Sequence, residues 1–192
     1  MKNNELVGIL EFLRSTEQLK NTLRSAHTSN GRQESTAEHT WRLSLMVMLF
    51  AEQFPNIDAL KLIKMCIIHD LGEVIGGDIA AVDQVVGSDK TTQEREDLIT
   101  LINPLPTSLQ DEILRLWDEY NTASTQEAKL AKAFDKIETL LQHTQGQNPQ
   151  DFNYGFNLSY GRKYTDSNTL TAEIRAMIDV ETEALAKNND TY

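Results

Sequence analysis

The stretch Lys61–Ala80, KLIKMCIIHDLGEVIGGDIA, constrains the fold more than any other, because an apolar helical face runs directly into a histidine and an aspartate. An unpaired carboxylate taken into a protein interior costs several kcal/mol, so His69 and Asp70 can end such a helix only where something compensates them. A bound cation would do so, and so would a hydrogen-bonded His-Asp pair; the dipeptide by itself leaves both open. Other walls of the core must supply the remaining partners.

Helical spacing recurs along the chain. Leu6, Ile9, Leu10, Leu13 and Leu19 predict a packing helix over 4–20. The segment NTLRSAHTSNGRQ has turn chemistry at Asn30-Gly31 and is expected to hold Arg24, His27 and Arg32 in irregular backbone. Ser35-Thr36-Ala37-Glu38 is a capping box, and the stripe Leu43, Met46, Val47, Phe50, Phe54 follows it as far as Pro55, with His39 one turn earlier on the same face. Asp58 caps the next helix, whose face reads Leu62, Cys66, His69, Asp70. Leu71–Ile75 are expected to continue it, so that Glu73 faces the same way before Gly76-Gly77 break the helix ahead of Asp78.

Two further amphipathic helices are predicted at 91–102 and 106–121, with Trp117 in the core. Ser124-Thr125-Gln126-Glu127 starts a long helix with the stripe Leu130, Phe134, Ile137, Leu141 and with Asp135 at its edge. Residues 146–169 lack periodicity yet carry Phe152, Tyr154, Phe156, Tyr160 and Tyr164, which suits an ordered loop or lid better than a disordered linker. A last helix is expected at 170–187, and a frayed tail at 188–192. With no long strand-like alternation and no repeat, the expected class is all-α, one domain over 1–192 with its core at about 4–145.

Composition excludes some partners. Asp+Glu number 29 against 18 Lys+Arg, and the formal charge of -11 repels a nucleic-acid backbone or an anionic membrane surface. A small phosphorylated substrate remains compatible with that charge if a metal and an arginine make a local positive site. The single cysteine, Cys66, lies in an apolar run and leaves no intramolecular disulfide. Glu5 and Glu11 interrupt the N-terminal apolar stretch, which is too short for a signal peptide or a span, so a cytoplasmic setting is expected.

Each polar candidate has an ordinary structural reading. His39 could be a hydrogen-bonded core histidine, Glu73 a solvated glutamate, Asp78 an N-cap and Asp135 a rim carboxylate paired with Lys132; His27 and His143 read as surface or loop residues. Together, however, two histidines and two carboxylates on the inner faces of three helices form a mixed N/O set suited to one divalent ion, with positions left for water or substrate. Such an ion polarises a phosphoryl oxygen and lowers the pKa of a bound water from about 15.7 toward roughly 7.

The order His39, His69-Asp70, Asp135 resembles the H…HD…D signature of the HD-domain metal-dependent phosphohydrolase superfamily. The pieces LKNTLR, GRQESTAEHTW, IKMCIIHDLGEVIGGDIA and LWDEYNTASTQEAKLAKAFDKIETLL, in that order, are similar to its 5′-deoxynucleotidase branch. The resemblance implies an HD-type helical bundle and a homodimer. It also implies a phosphomonoesterase acting on nucleoside 5′-monophosphates. The alternatives are hydrolysis of an alarmone or cyclic nucleotide, or a non-catalytic metal- or nucleotide-binding module. It makes His39, His69, Asp70 and Asp135 the ligands of one divalent ion (Mn, Co, Fe, Ni, Zn or Mg). Glu73 becomes the general acid/base, Asp78 a second active-site acid, and Arg24 the phosphate contact. Ser25 stands where members that discriminate against ribose have a tryptophan; Trp41 lies elsewhere, on a helix.

Overall fold

The structure is a computed structural model that describes residues 2–79 and 90–189. Helix α1 (Asn3–Thr16) tightens into a 3-10 turn at Glu17–Lys20 and leads into an antiparallel hairpin, β1 (Leu23–His27) and β2 (Gln33–Ser35). Then come α2 (Thr36–Phe50), α3 (Ala59–Ile68), the single turn α4 (Glu73–Gly76), α5 (Lys90–Ile102) and α6 (Thr107–Thr122). The chain continues through α7 (Gln126–Gln145), the short turns α8 (Tyr154–Asn157) and α9 (Arg162–Thr165), and α10 (Thr169–Asn189). Of the frayed tail expected at 188–192, residues 188 and 189 instead continue α10, and 190–192 lie outside the described residues.

Helix α7 is the centre of the bundle. It packs against α2, α3, α6, α9 and α10, which buries Leu130, Phe134, Ile137 and Leu140. Its ring at Phe134 stacks on Phe50 at 5.8 Å between centroids and meets Phe54 edge-on at 6.0 Å, which locks the end of α2 onto it. The start of α2 is fixed by a complete capping box: the Glu38 N–H donates to Ser35 Oγ at 3.3 Å and the Ser35 N–H to Glu38 Oε2 at 2.9 Å. Because Ser35 also ends β2, the hairpin feeds α2 without a loop, and the strand is held rigidly against the helix that carries His39.

Several expectations are corrected. The segment holding Arg24 and His27 is a hairpin strand, anchored where the His27 N–H donates to Asn148 Oδ1 at 3.2 Å and Gln142 Nε2 donates to the His27 carbonyl at 2.6 Å. Helix α3 stops at Ile68, and Glu73 begins a separate turn. The leucine stripe of α1 faces outward, with Leu6, Leu10 and Leu13 exposed, because α1 meets the core through Gly8: a Cβ there would lie 1.9 Å from the Pro104 carbonyl oxygen. The 146–169 segment contains α8 and α9 and folds back on α7 and α10. Among the described residues, no helix is long and apolar enough to cross a membrane.

Candidate active site

The ends of the buried helices bring the singled-out histidines together. His69 is the C-cap of α3, with its Nδ1–H donating to the Cys66 carbonyl at 2.8 Å. A carbonyl can only accept, so Nδ1 carries the proton and Nε2 keeps its lone pair. On α2, the His39 Nδ1–H donates in the same way to the carboxylate of Glu138, which is fully buried. Both Nε2 atoms and Asp70 Oδ2 are buried, and among the described residues none of the three has a hydrogen-bond partner.

They converge on one point. Asp70 Oδ2 lies 3.1 Å from His69 Nε2 and 3.8 Å from His39 Nε2, and the ligand atoms of these three residues all lie within 4.8 Å of one another. Asp135 from α7 adds Oδ1 at 3.4 Å from His39 Nε2 and 4.0 Å from His69 Nε2. Its other oxygen is held by the Tyr120 hydroxyl at 2.7 Å and Lys136 Nζ at 2.9 Å. Unsatisfied buried polar atoms cost about 1–3 kcal/mol each. Three of them aimed at one another, two imidazole nitrogens and one carboxylate oxygen, fit a divalent cation. Burial and the Arg24 charge both disfavour a charged His39, yet Glu138 and Asp135 raise its pKa to about 9, so the surroundings favour positive charge at this point.

A second layer was not singled out in the sequence. Arg42 Nε donates to Glu138 Oε1 at 2.6 Å. Glu34, 3% exposed on β2, lies between two arginines, with Oε2 3.6 Å from Arg24 Nε and Oε1 4.0 Å from Arg42 Nη2. Burial first, then the Glu138 charge, push the Glu34 carboxyl up to about 7. The signal for Glu138 and Arg42 was spacing: each lies three residues after a candidate ligand on its own helix.

A cavity of about 540 Å³ opens beside this cluster, lined by Arg24, Ser25, His69, Asp70, Glu73, Asp78 and Asp135. Arg24 reaches it from β1, with Nη1 3.6 Å from Asp70 Oδ2 and Nη2 donating to Thr139 Oγ1 at 3.2 Å. Glu73 is buried and accepts from Thr36 Oγ1 at 3.3 Å; burial, then the charges of Asp70 and Asp78, push its carboxyl up to about 10. Lys90 bridges Glu73 and Asp78, at 3.7 and 3.9 Å. Ser25 is exposed at the edge of the cavity. The opposite wall comes from the 146–169 segment through Phe152, Asn153, Phe156 and Asn157. His143, expected at the surface, is buried and lines this wall, its ring against Phe152 and its Nδ1 3.2 Å from Asn157 Oδ1.

Helices that bring a His/Asp cluster to the side of a polar cavity make a site suited to metal-dependent hydrolysis. The chain belongs to the HD-domain family, whose model, described as HD domain, matches residues 16–175. It is 35% identical over 137 residues to the mouse protein 5′-deoxynucleotidase HDDC2, a match covering 70% of this chain and 68% of that protein. A Dictyostelium discoideum protein of the same name is 36% identical over 141 residues, covering 69% and 74%. Among solved structures, a protein from Magnetospirillum magnetotacticum MS-1 described as a predicted metal-dependent phosphohydrolase superimposes with a TM-score of 0.77 at 26% identity, covering 94% of this chain and 97% of that one.

Proposed function

We propose that this hydrolase releases phosphate from nucleoside 5′-monophosphates at the cluster of His39, His69, Asp70 and Asp135. The observation that carries the reading is the convergence of the two histidine Nε2 atoms and Asp70 Oδ2, buried and without hydrogen-bond partners among the described residues, beside a cavity that His69, Asp70 and Arg24 line. The names of the relatives add the substrate class.

The four residues would hold one divalent ion, which when bound supplies Lewis-acid polarisation of the phosphoryl group and a more acidic water. Its identity among Mn, Co, Fe, Ni, Zn and Mg is set by availability as much as by this ligand set. Arg24 binds the phosphate, since a planar guanidinium matches two phosphoryl oxygens at once. Water oxygen attacks phosphorus and the bond from phosphorus to the 5′ oxygen breaks. Glu73, whose raised pKa keeps it protonated, gives its proton to the departing 5′ oxygen and then takes up the proton lost by the water, leaving a nucleoside and inorganic phosphate. Asp78, beside Lys90, holds the acid end of the cavity. Ser25, exposed at the cavity edge, puts no bulky side chain there to exclude a ribose 2′-hydroxyl, and paired ribo- and deoxyribonucleotides test that selectivity. A homodimer and a cytoplasmic setting belong to the same reading; sedimentation decides the first.

Phosphate release from paired ribo- and deoxyribonucleotides, an alarmone and a cyclic nucleotide, with Mn²⁺, Co²⁺, Mg²⁺ or Zn²⁺, tests it. The expected result is turnover of monophosphates of both sugars, lost in Asp70→Ala. Turnover confined to the alarmone or cyclic compound, or an Asp70→Ala rate equal to wild type, would refute it.

A further inference from the structure

Acidic side chains crowd the cavity, and three of its cations are engaged by them. Arg24 lies beside Glu34 and Asp70, both at 3.6 Å. Lys90 faces Glu73, Asp78 and Glu94 at 3.7, 3.9 and 3.0 Å, and Lys136 pairs with Asp135 at 2.9 Å. Lys132 differs. It lines the same cavity from α7, one turn before Asp135, and is partly buried, yet among the described residues no carboxylate forms an ion pair with it. Its ammonium instead rests on aromatic rings, 3.9 Å from the Tyr120 centroid and 5.5 Å from that of Tyr164. Tyr120 is the residue whose hydroxyl donates to Asp135 Oδ2 at 2.7 Å, so a single aromatic ring separates Lys132 from the candidate metal cluster.

Withdrawing a cation from water without a counter-charge is unfavourable, and a ring face offsets only about 0.5–2 kcal/mol of that. Burial first, and then the neighbouring Lys136 charge, lower the pKa of Lys132 to about 8, outweighing the charges of Asp135 and Asp70, neither of which forms an ion pair with it. A phosphate monoester brings a charge of about -1.5 to -2 at pH 7. A site already lined with carboxylates needs cationic charge not spent on them to accept it.

We propose that Lys132 is a substrate-binding residue whose ammonium contacts the phosphate of the bound nucleotide from the α7 wall, complementing Arg24 on β1. This rests on the phosphomonoester reading above and assigns that substrate a second cationic contact. A lysine suits the position because its ammonium is a point charge that can follow the phosphoryl oxygens as they shift, whereas the guanidinium of Arg24 fixes their orientation.

The test uses the full chain with metal bound, and the variants Lys132→Met, Lys132→Gln and Lys132→Arg. Three quantities are measured: KM and kcat for a deoxynucleoside monophosphate, calorimetric affinity for inorganic phosphate, and Tm. Met and Gln are expected to raise KM and weaken phosphate binding by about tenfold or more, equivalent to about 1.4 kcal/mol, with Tm unchanged or higher because a desolvated charge has gone. Arg should restore most of the binding. Phosphate affinity and KM within about twofold of wild type in Met and Gln would overturn the assignment. So would losses that follow a lowered Tm and are not rescued by Arg, since those mark a structural stack on Tyr120. If wild type releases phosphate from no monoester, the reading of the reaction fails, while the phosphate affinities still decide the role of Lys132.

Discussion

The indole Nε1–H of Trp117 donates to the backbone carbonyl of His69 at 3.0 Å, so a core residue of α6 holds the peptide that ends α3 and aims the His69 ring. The last carbonyls of a helix have no partner within it, and this one is buried. Trp117→Phe keeps an aromatic ring in the core but leaves that carbonyl unpaired. The expected outcome is a loss of about 1–3 kcal/mol in denaturant unfolding, accompanied by weaker binding of Mn²⁺ in calorimetry. Unchanged unfolding and metal affinity together would show that the bond does not position the ring.

Glu138 acts on the other histidine. It is fully buried on α7, accepts from His39 Nδ1 and is itself held by Arg42 Nε at 2.6 Å. A carboxylate behind a ligating imidazole fixes its tautomer and ring angle, and loss of such a partner costs about 10–100-fold in metal affinity. Glu138→Ala is expected to weaken Mn²⁺ binding by that factor, and Glu138→Gln by less, because its amide oxygen still accepts from Nδ1. Equal affinities for wild type and Glu138→Ala would remove Glu138 from the site.

The contrast between Glu138 and His69-Asp70 explains what could be read from the chain. His69 and Asp70 stand out because they follow a nearly unbroken apolar run, and the helices themselves are written in stripes such as Leu130, Phe134 and Ile137, all buried in the fold. Glu138 sits among lysines, glutamates and glutamines on α7, where a charged residue at any one position is ordinarily solvated; only the packing of α2 on α7 turns it inward. Lys132 and Tyr120 were hidden in the same way. The hairpin was missed because five- and three-residue strands are too short to display alternation. The leucines of α1 misled because periodicity identifies a helix but not which face a close contact at Gly8 selects.

A similar close contact fixes Glu73. Gly72 packs directly on α5: a Cβ there would lie 2.6 Å from the Glu94 carbonyl oxygen and 3.1 Å from its carbon, and backbone atoms cannot swing aside as a side-chain end could. Gly72→Ala must therefore push α4 and α5 apart, displacing Glu73 and the pair of Lys90 with Glu94. Overpacking of this kind costs about 1–3 kcal/mol. The expected outcome is a lowered Tm together with a fall in kcat larger than any change in Mn²⁺ affinity, since the histidines lie on other elements. A variant with wild-type kcat and Tm would show that α5 yields freely.

His143 supplies a pH dependence separate from the metal cluster. Burial drives its pKa down to about 4 from the ordinary 6.5, outweighing the hydrogen bond to Asn157, so the fold favours the neutral ring. Between those two values the unfolded chain binds the proton that the folded chain refuses, and stability therefore rises with pH across that window. The contribution is complete above the unfolded value and is lost as pH falls toward the folded one, amounting to about 3 kcal/mol by pH 4. Glu34 and Glu73, whose carboxyls are raised, act with the opposite sign in a window that opens at pH 4.5 and overlaps this one, so the informative quantity is a difference between two proteins. Urea unfolding of metal-free wild type and His143→Gln from pH 7 to pH 4 is expected to show the wild-type advantage shrinking by about that amount, because glutamine has no proton to gain. Parallel curves would mean that the ring takes up its proton as readily in the fold as in the unfolded chain, and that the Phe152 wall of the cavity admits a charge.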